Sequence, residues 1–245
     1  MTLRRSLAVF LGLAAANGAH AIAVPITNPG FEGPATPADS FITNAPPTGW
    51  TTFGSINFAN RVVGVLNPAT TTLYADPVPE GANVGVVFLS NGATGIEGGL
   101  QQTLAATLQP FTHYTLQVEV GNLANDVDAP HNSFQFNGFP GYRVDLLAGG
   151  TVLVSDTNSL TPAEGRFLRS TLTLSIGASH ALAGQALGIR LVNLDAAAGI
   201  EVNFDDVRLD ATAIPEPAGG AAVAAVLALL AGANRRSRGA KRTNG

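Results

Sequence analysis

The chain has no cysteine, one methionine and one tryptophan in 245 residues, and only 12% of its residues are charged. Without cysteine there is no disulfide scaffold, no thiolate-held zinc or iron–sulfur cluster and no cysteine nucleophile. The low charge, about half the usual share, excludes a coiled coil and a highly charged disordered chain. There is no Gly-x-Ser-x-Gly, no His-Glu-x-x-His and no phosphate-binding loop, so the common hydrolase, zinc-peptidase and nucleotide sites are missing. Basic residues are also scarce in the middle of the chain. Setting aside Arg4, Arg5 and the terminal group Arg235, Arg236, Arg238, Lys241 and Arg242, six arginines face sixteen acids between residues 22 and 214, a net charge of −10. Such a segment repels nucleic acid and anionic lipid. It suits a cation or a neutral, hydroxyl-rich ligand, or it serves solubility alone.

The two ends carry addresses. Arg4–Arg5, the apolar run Leu7–Ala16 and Ala19-His20-Ala21 match the charged, apolar and small-x-small parts of a secretory signal peptide over residues 1–21. At the other end, Pro215-Glu216-Pro217 precedes the apolar run Ala218–Ala233 and the cluster Arg235–Arg242. As a helix that run spans about 24 Å, short of a ~30 Å hydrocarbon core, and its basic end would stay cytoplasmic. The order Pro-Glu-Pro, apolar helix, arginine cluster resembles the PEP-CTERM sorting signal. The resemblance implies an exosortase as processing partner, transient anchoring at the inner membrane and release to the cell surface or extracellular matrix over residues 214–245.

Residues 22–213 read as a single all-β domain. No amphipathic helix is visible, and strand patterns recur between turns. Tyr114, Leu116, Val118 and Val120 alternate with polar residues at period two, as do Leu172, Leu174 and Ile176. Ala148-Gly149-Gly150 predicts a hairpin. About ten or eleven such segments predict a two-sheet sandwich, most simply a jelly roll. In the last strand Val202 and Phe204 share one phase and Val207 and Leu209 the other, which predicts a β-bulge at Asp205–Asp206.

Two adjacent carboxylates at a bulge repel unless a cation or donors sit between them. A third, Glu32, lies in the turn Asn28-Pro29-Gly30-Phe31-Glu32-Gly33. First and last strands of a sandwich are often neighbours, so Glu32, Asp205 and Asp206 are the expected calcium ligands, hard oxygens suited to that ion. Asn28–Glu32, Gly49-Trp50 and Phe204–Val207 together resemble the galactose-binding-like jelly rolls, notably carbohydrate-binding modules, and this resemblance implies a structural calcium. Trp50 is expected to pack at the sandwich edge. A narrower resemblance, over Leu100-Gln101-Gln102-Thr103, Gly141–Val144, Leu187–Asn193 and Val207, is to the hapalindole-type (Stig) indole-terpenoid cyclases. It implies an aspartic acid and aromatic side chains in an apolar pocket, with Phe88, Phe134, Phe136 and Phe139 available to line it, and no catalytic position is matched residue by residue.

The segment from Asn122 to Gly141 is long for a loop, and such loops are often functional. It sets Asp126, Asp128, His131 and Asn132 beside Phe136 and Tyr142. Polar groups next to aromatic rings suit a sugar, so these six are the expected ligand-binding residues. The reading that follows is an exported, non-catalytic protein that binds glycan or exopolysaccharide and no nucleic acid, with a structural calcium. The alternatives are a calcium-dependent cyclase or isomerase of the Stig type, which needs only one acid and a pocket, and a purely structural matrix protein.

Overall fold

In the computed structural model, residues 20–215 are described, apart from 70–71, 90–94, 126–132, 134 and 197–198. Residues 20–213 form one unit, with twelve strands in two antiparallel sheets among the described residues. The larger sheet runs β10 (Arg166–Ile176), β7 (Thr112–Asn122), β12 (Glu201–Ala213), β5 (Val84–Leu89), β4 (Arg61–Asn67) and β2 (Ser40–Ile42). The short β1 (Ala21–Ala23) pairs with the far end of β12. The smaller sheet runs β3 (Thr51–Gly54), β6 (Gly98–Thr107), β11 (Ala186–Asn193), β8 (Tyr142–Ala148) and β9 (Thr151–Thr157). The two-sheet sandwich expected from the alternating pattern is present, and no α-helix interrupts it among the described residues. The strand at 40–42, too short to show a period, is an addition to the expected set.

The alternation expected along β7 sets the core. Tyr114, Leu116, Val118 and Val120 all point inward, against Leu100, Val144, Ile189 and Leu191 of the other sheet. Trp50 is buried there too. Its ring stacks on Phe31 at 5.2 Å and its indole N–H donates to the Asn28 carbonyl at 3.1 Å. Gly149 and Gly150 both have positive φ, 55° and 80°, as a tight two-residue turn between β8 and β9 requires. The β-bulge is also present. The pairing of β12 with β7 slips between Asp205 and Arg208, and Asp206 has φ 46°.

β12 differs from an ordinary sandwich strand because both its faces are buried. Val202 and Phe204 face the main core. Glu201, Asn203 and Asp205 face the opposite way, and all three are buried. They are covered by a second apolar cluster of Leu66, Leu73, Tyr74, Val84, Val86, Leu123 and Phe136. Leu73, Tyr74, Leu123 and Phe136 of that cluster come from connections between strands. Backbone bonds from Ala124 N to Leu73 O (3.0 Å) and from Ala75 N to Gly165 O (3.0 Å) fasten those connections together. Among the described residues no helix is long and apolar enough to cross a membrane; the apolar run 218–233 lies outside them.

Candidate active site

The outer face of the larger sheet carries a pocket of about 200 Å³. Its floor is the sheet: Val62 and Leu66 of β4, Val86 and Phe88 of β5, and Glu201 of β12. Phe41, Thr43, Ala59, Leu73 and Phe136 close its sides. Register explains the floor. Glu201 lies opposite Phe88, and Phe88 lies opposite Val62, so one row across three strands sets a carboxyl beside an aromatic ring. Glu201 is 8% exposed and, among the described residues, the only ionisable one lining the pocket.

Burial dominates the chemistry of this acid. It pushes the Glu201 carboxyl up to about 7, against a weaker opposing pull from the Asn203 amide. Glu201 thus holds a proton near neutrality, as a general acid must. Asn203 Nδ2 donates to Glu201 Oε1 at 3.0 Å and to the Gly85 carbonyl at 3.2 Å. The Tyr74 hydroxyl donates to Asn203 Oδ1 at 2.6 Å. Burial holds that phenol well above its usual range, and the Glu201 and Asp205 carboxylates add to the shift.

Next along the strand, Asp205 is wholly buried. Burial pushes it up to about 8 against two backbone donors, with the Glu80 and Asp206 carboxylates adding repulsion. Its oxygens accept the backbone N–H groups of Glu80 (2.9 Å) and Asp206 (2.7 Å). Glu32 Oε1 accepts those of Ala82 and Asn83, both at 2.8 Å. The turn 28–33 and the segment 80–83 therefore interlock against the bulge. Gly30 makes room for the Glu80 carboxylate, which a Cβ there would strike. Val207 N donates to the Pro29 carbonyl at 3.1 Å.

The expected calcium set of Glu32, Asp205 and Asp206 is not assembled as such. Asp206 turns away into ion pairs with Arg208 (2.6 Å) and Arg169 (3.7 Å). The bulge that turns its backbone gives it a direction different from that of Asp205. Among the described residues no group of three or more His, Cys, Asp or Glu side chains is gathered for a metal. Glu32 and Asp205 each accept backbone N–H groups of the segment 80–83, and the buried Asn83 Oδ1 in that segment has no hydrogen-bond partner, so the oxygens there are hard donors of the kind a calcium ion takes.

Of the six expected ligand-binding residues, Asp126, Asp128, His131 and Asn132 lie outside the described residues. Phe136 lines the pocket. Tyr142 does not: it belongs to the main core, and its hydroxyl donates to Asp156 at 2.6 Å. As the first residue of β8 it takes the inward phase of Val144 and Leu146. Phe88 also lines the pocket, whereas Phe139 packs against the main core. Sequence reasoning missed Glu201, Asn203, Tyr74 and Glu80. The available signal was three polar residues at alternate positions, 201, 203 and 205, in a strand whose other face is apolar.

A buried acid that burial pushes toward its protonated form stands beside aromatic rings in an apolar pocket, an arrangement able to pass a proton to an apolar ligand. The sequence model of HpiC1 cyclase matches residues 22–210, and the chain belongs to this HpiC1-like cyclase family. The Stig cyclase Fisc from Fischerella sp. TAU, solved with (3Z)-3-(1-methyl-2-pyrrolidinylidene)-3H-indole, is 37% identical. The match covers 80% of this chain and 100% of that one, with a TM-score of 0.73. A cyclase from Fischerella sp. TAU solved with 4-(1H-indol-3-yl)butan-2-one is 36% identical over 80% of this chain and 100% of that one, TM-score 0.72. The apo form of a cyclase from Fischerella sp. gives 36%, 80% and 98%, with the same TM-score. No curated protein matches significantly. These likenesses overturn the expected non-catalytic glycan or exopolysaccharide binder of the extracellular matrix and favour its cyclase alternative. Polar groups beside aromatics in the loop 122–141 suggested a sugar; on β12, Asp205 and Asp206 were read as calcium ligands, and Glu201 and Asn203 were not read as part of a site.

Proposed function

We propose that the chain is an acid-catalysed cyclase that closes a ring on an apolar, unsaturated substrate bearing an indole-like group. The observation that carries this reading is Glu201, a buried carboxyl raised to about 7 at the floor of an aromatic pocket. Membership of the cyclase family and the indole compounds bound by its relatives support the substrate class.

The step balances within the substrate and Glu201. The carboxyl proton passes to an sp² carbon, leaving a carbocation and the Glu201 carboxylate. A π bond of the same substrate attacks the cation and closes the ring. A proton then leaves the attacking fragment and restores the acid, so substrate and product are isomers. Phe41, Phe88 and Phe136 line the pocket, where aromatic rings would favour positive charge and help exclude water.

Calcium forms part of the proposal. Glu32 and Asp205, joined by Glu80 in place of Asp206, would hold it, and it would supply charge neutralisation that fixes the segment 80–83 beside the pocket strand. The proposal also includes export: a signal peptide over residues 1–21, a jelly-roll domain over 22–213, and a sorting segment over 214–245 whose Pro215, Glu216 and Pro217 are recognised by an exosortase. The test of function is incubation with an indole carrying an unsaturated terpenoid chain, with products separated by chromatography. New isomers of unchanged mass are expected, and Glu201→Gln should slow their formation at least ~100-fold. Equal rates for the two proteins would overturn the assignment.

A further inference from the structure

We propose that Asn203 and Tyr74 are positioning residues that confine the Glu201 proton to a single carboxyl oxygen. The inference rests on the reading of Glu201 as the proton donor and adds how its proton is placed.

The chemistry of the partners fixes the orientation of the Asn203 amide. The Gly85 carbonyl can only accept, so the atom facing it at 3.2 Å is Nδ2. The second hydrogen of Nδ2 then goes to Glu201 Oε1 at 3.0 Å. Oδ1 is left to accept from the Tyr74 hydroxyl at 2.6 Å. The neutral acid therefore carries its proton on Oε2, the oxygen Asn203 does not engage. Asn203 is wholly buried, and Glu201 and Tyr74 are largely so. In such surroundings a hydrogen bond is stronger and an unpaired polar atom is costly, so the arrangement has few alternatives.

Tyr74 is itself held. Its ring stacks on Phe167 with centroids 4.5 Å apart. Room for that stack comes from Gly121 of β7, which lies directly opposite Asn203 in the sheet. A Cβ at position 121 would sit 2.5 Å from the Phe167 ring and 2.8 Å from the Tyr74 hydroxyl. A glycine on one strand thus keeps the phenol aimed at an amide on the next, and the amide aims the acid. Gly121→Ala moves Tyr74 without altering any polar group.

The test uses 4-(1H-indol-3-yl)butan-2-one, labelled with carbon-13 at the ketone, bound to the full chain at about pH 5.5, where Glu201 is protonated. The ketone resonance reports the hydrogen bond it accepts. Wild type should give one narrow resonance, downfield of the ketone in an apolar solvent. Tyr74→Phe keeps the ring stack and should move the resonance back toward the apolar value and broaden it, with affinity falling about two- to tenfold. Gly121→Ala should do the same, and Asn203→Leu should do so more completely. A purely structural role would lower the melting temperature of these variants and leave the resonance in place; that result, in variants that remain folded, would overturn the inference. Glu201→Leu separates the two levels. If wild type and Glu201→Leu give the same resonance, or wild type does not bind the ketone, Glu201 is not the donor and both readings fall.

Discussion

Raising the pH should destabilise this domain through Glu201, by an amount the structure sets. The carboxyl titrates at about 7 in the folded chain, against 4.5 as its ordinary value. Below pH 4.5 both folded and unfolded forms are protonated, and the contribution to stability is fully present. Between 4.5 and 7 the unfolded chain releases the proton while the folded chain keeps it, so stability falls as pH rises. Above 7 the loss is complete, at about 3 kcal/mol. For a domain of this size that is a fall of roughly 6–12 °C in melting temperature. Asp205 titrates in an overlapping range, from 3.8 to about 8, and acts in the same direction. Its part is removed by comparison with Glu201→Gln, whose neutral amide replaces the acid in both states. The assay is denaturant unfolding of both proteins from pH 4 to pH 8.5 in chelator. Wild type should lose about 3 kcal/mol relative to the variant over that range. Parallel curves would mean that the Glu201 carboxyl titrates normally, and the case for a poised acid would fail.

Other consequences concern the surrounding structure. Tyr142→Phe deletes the hydroxyl bonded to Asp156; unfolding should show a loss of about 1 kcal/mol, and ketone titration should show unchanged affinity, because Tyr142 is in the core and not the pocket. In chelator against calcium at a hundredfold excess over its dissociation constant, the ion should contribute about 2.7 kcal/mol, seen as a rise of roughly 5–10 °C. Glu32→Gln should abolish most of that rise. Gly30→Ala should abolish it too, because its methyl group would displace the Glu80 carboxylate. A full calcium response in both variants would place the ion elsewhere.

Much of the scaffold was legible in the sequence because it depends on local rules. Period-two alternation along 114–120 identifies β7, paired glycines identify the turn at 149–150, and the change of phase at 205–206 identifies the bulge. The site was less legible for a physical reason. An acid at 201 in an alternating strand reads as a solvent-facing residue unless something covers that face. What covers it is a group of residues far away in sequence, Leu73, Tyr74, Leu123 and Phe136, and no local pattern shows that they meet there. Glu80 was missed in the same way, because its link to Asp205 spans 125 positions. Asp205 and Asp206, adjacent in sequence, were expected to present their carboxylates together, whereas the bulge sends the two side chains to different partners.

The most direct test of the central claim is the mass of the product formed in deuterium oxide. In a single turnover by wild type equilibrated in deuterium oxide, Glu201 delivers a deuteron to substrate carbon, and the cyclised isomer carries one deuterium that the starting terpenoid indole lacks. A cyclised product of unchanged mass, formed at the full rate, would show that ring closure proceeds without proton transfer to carbon and would contradict the account.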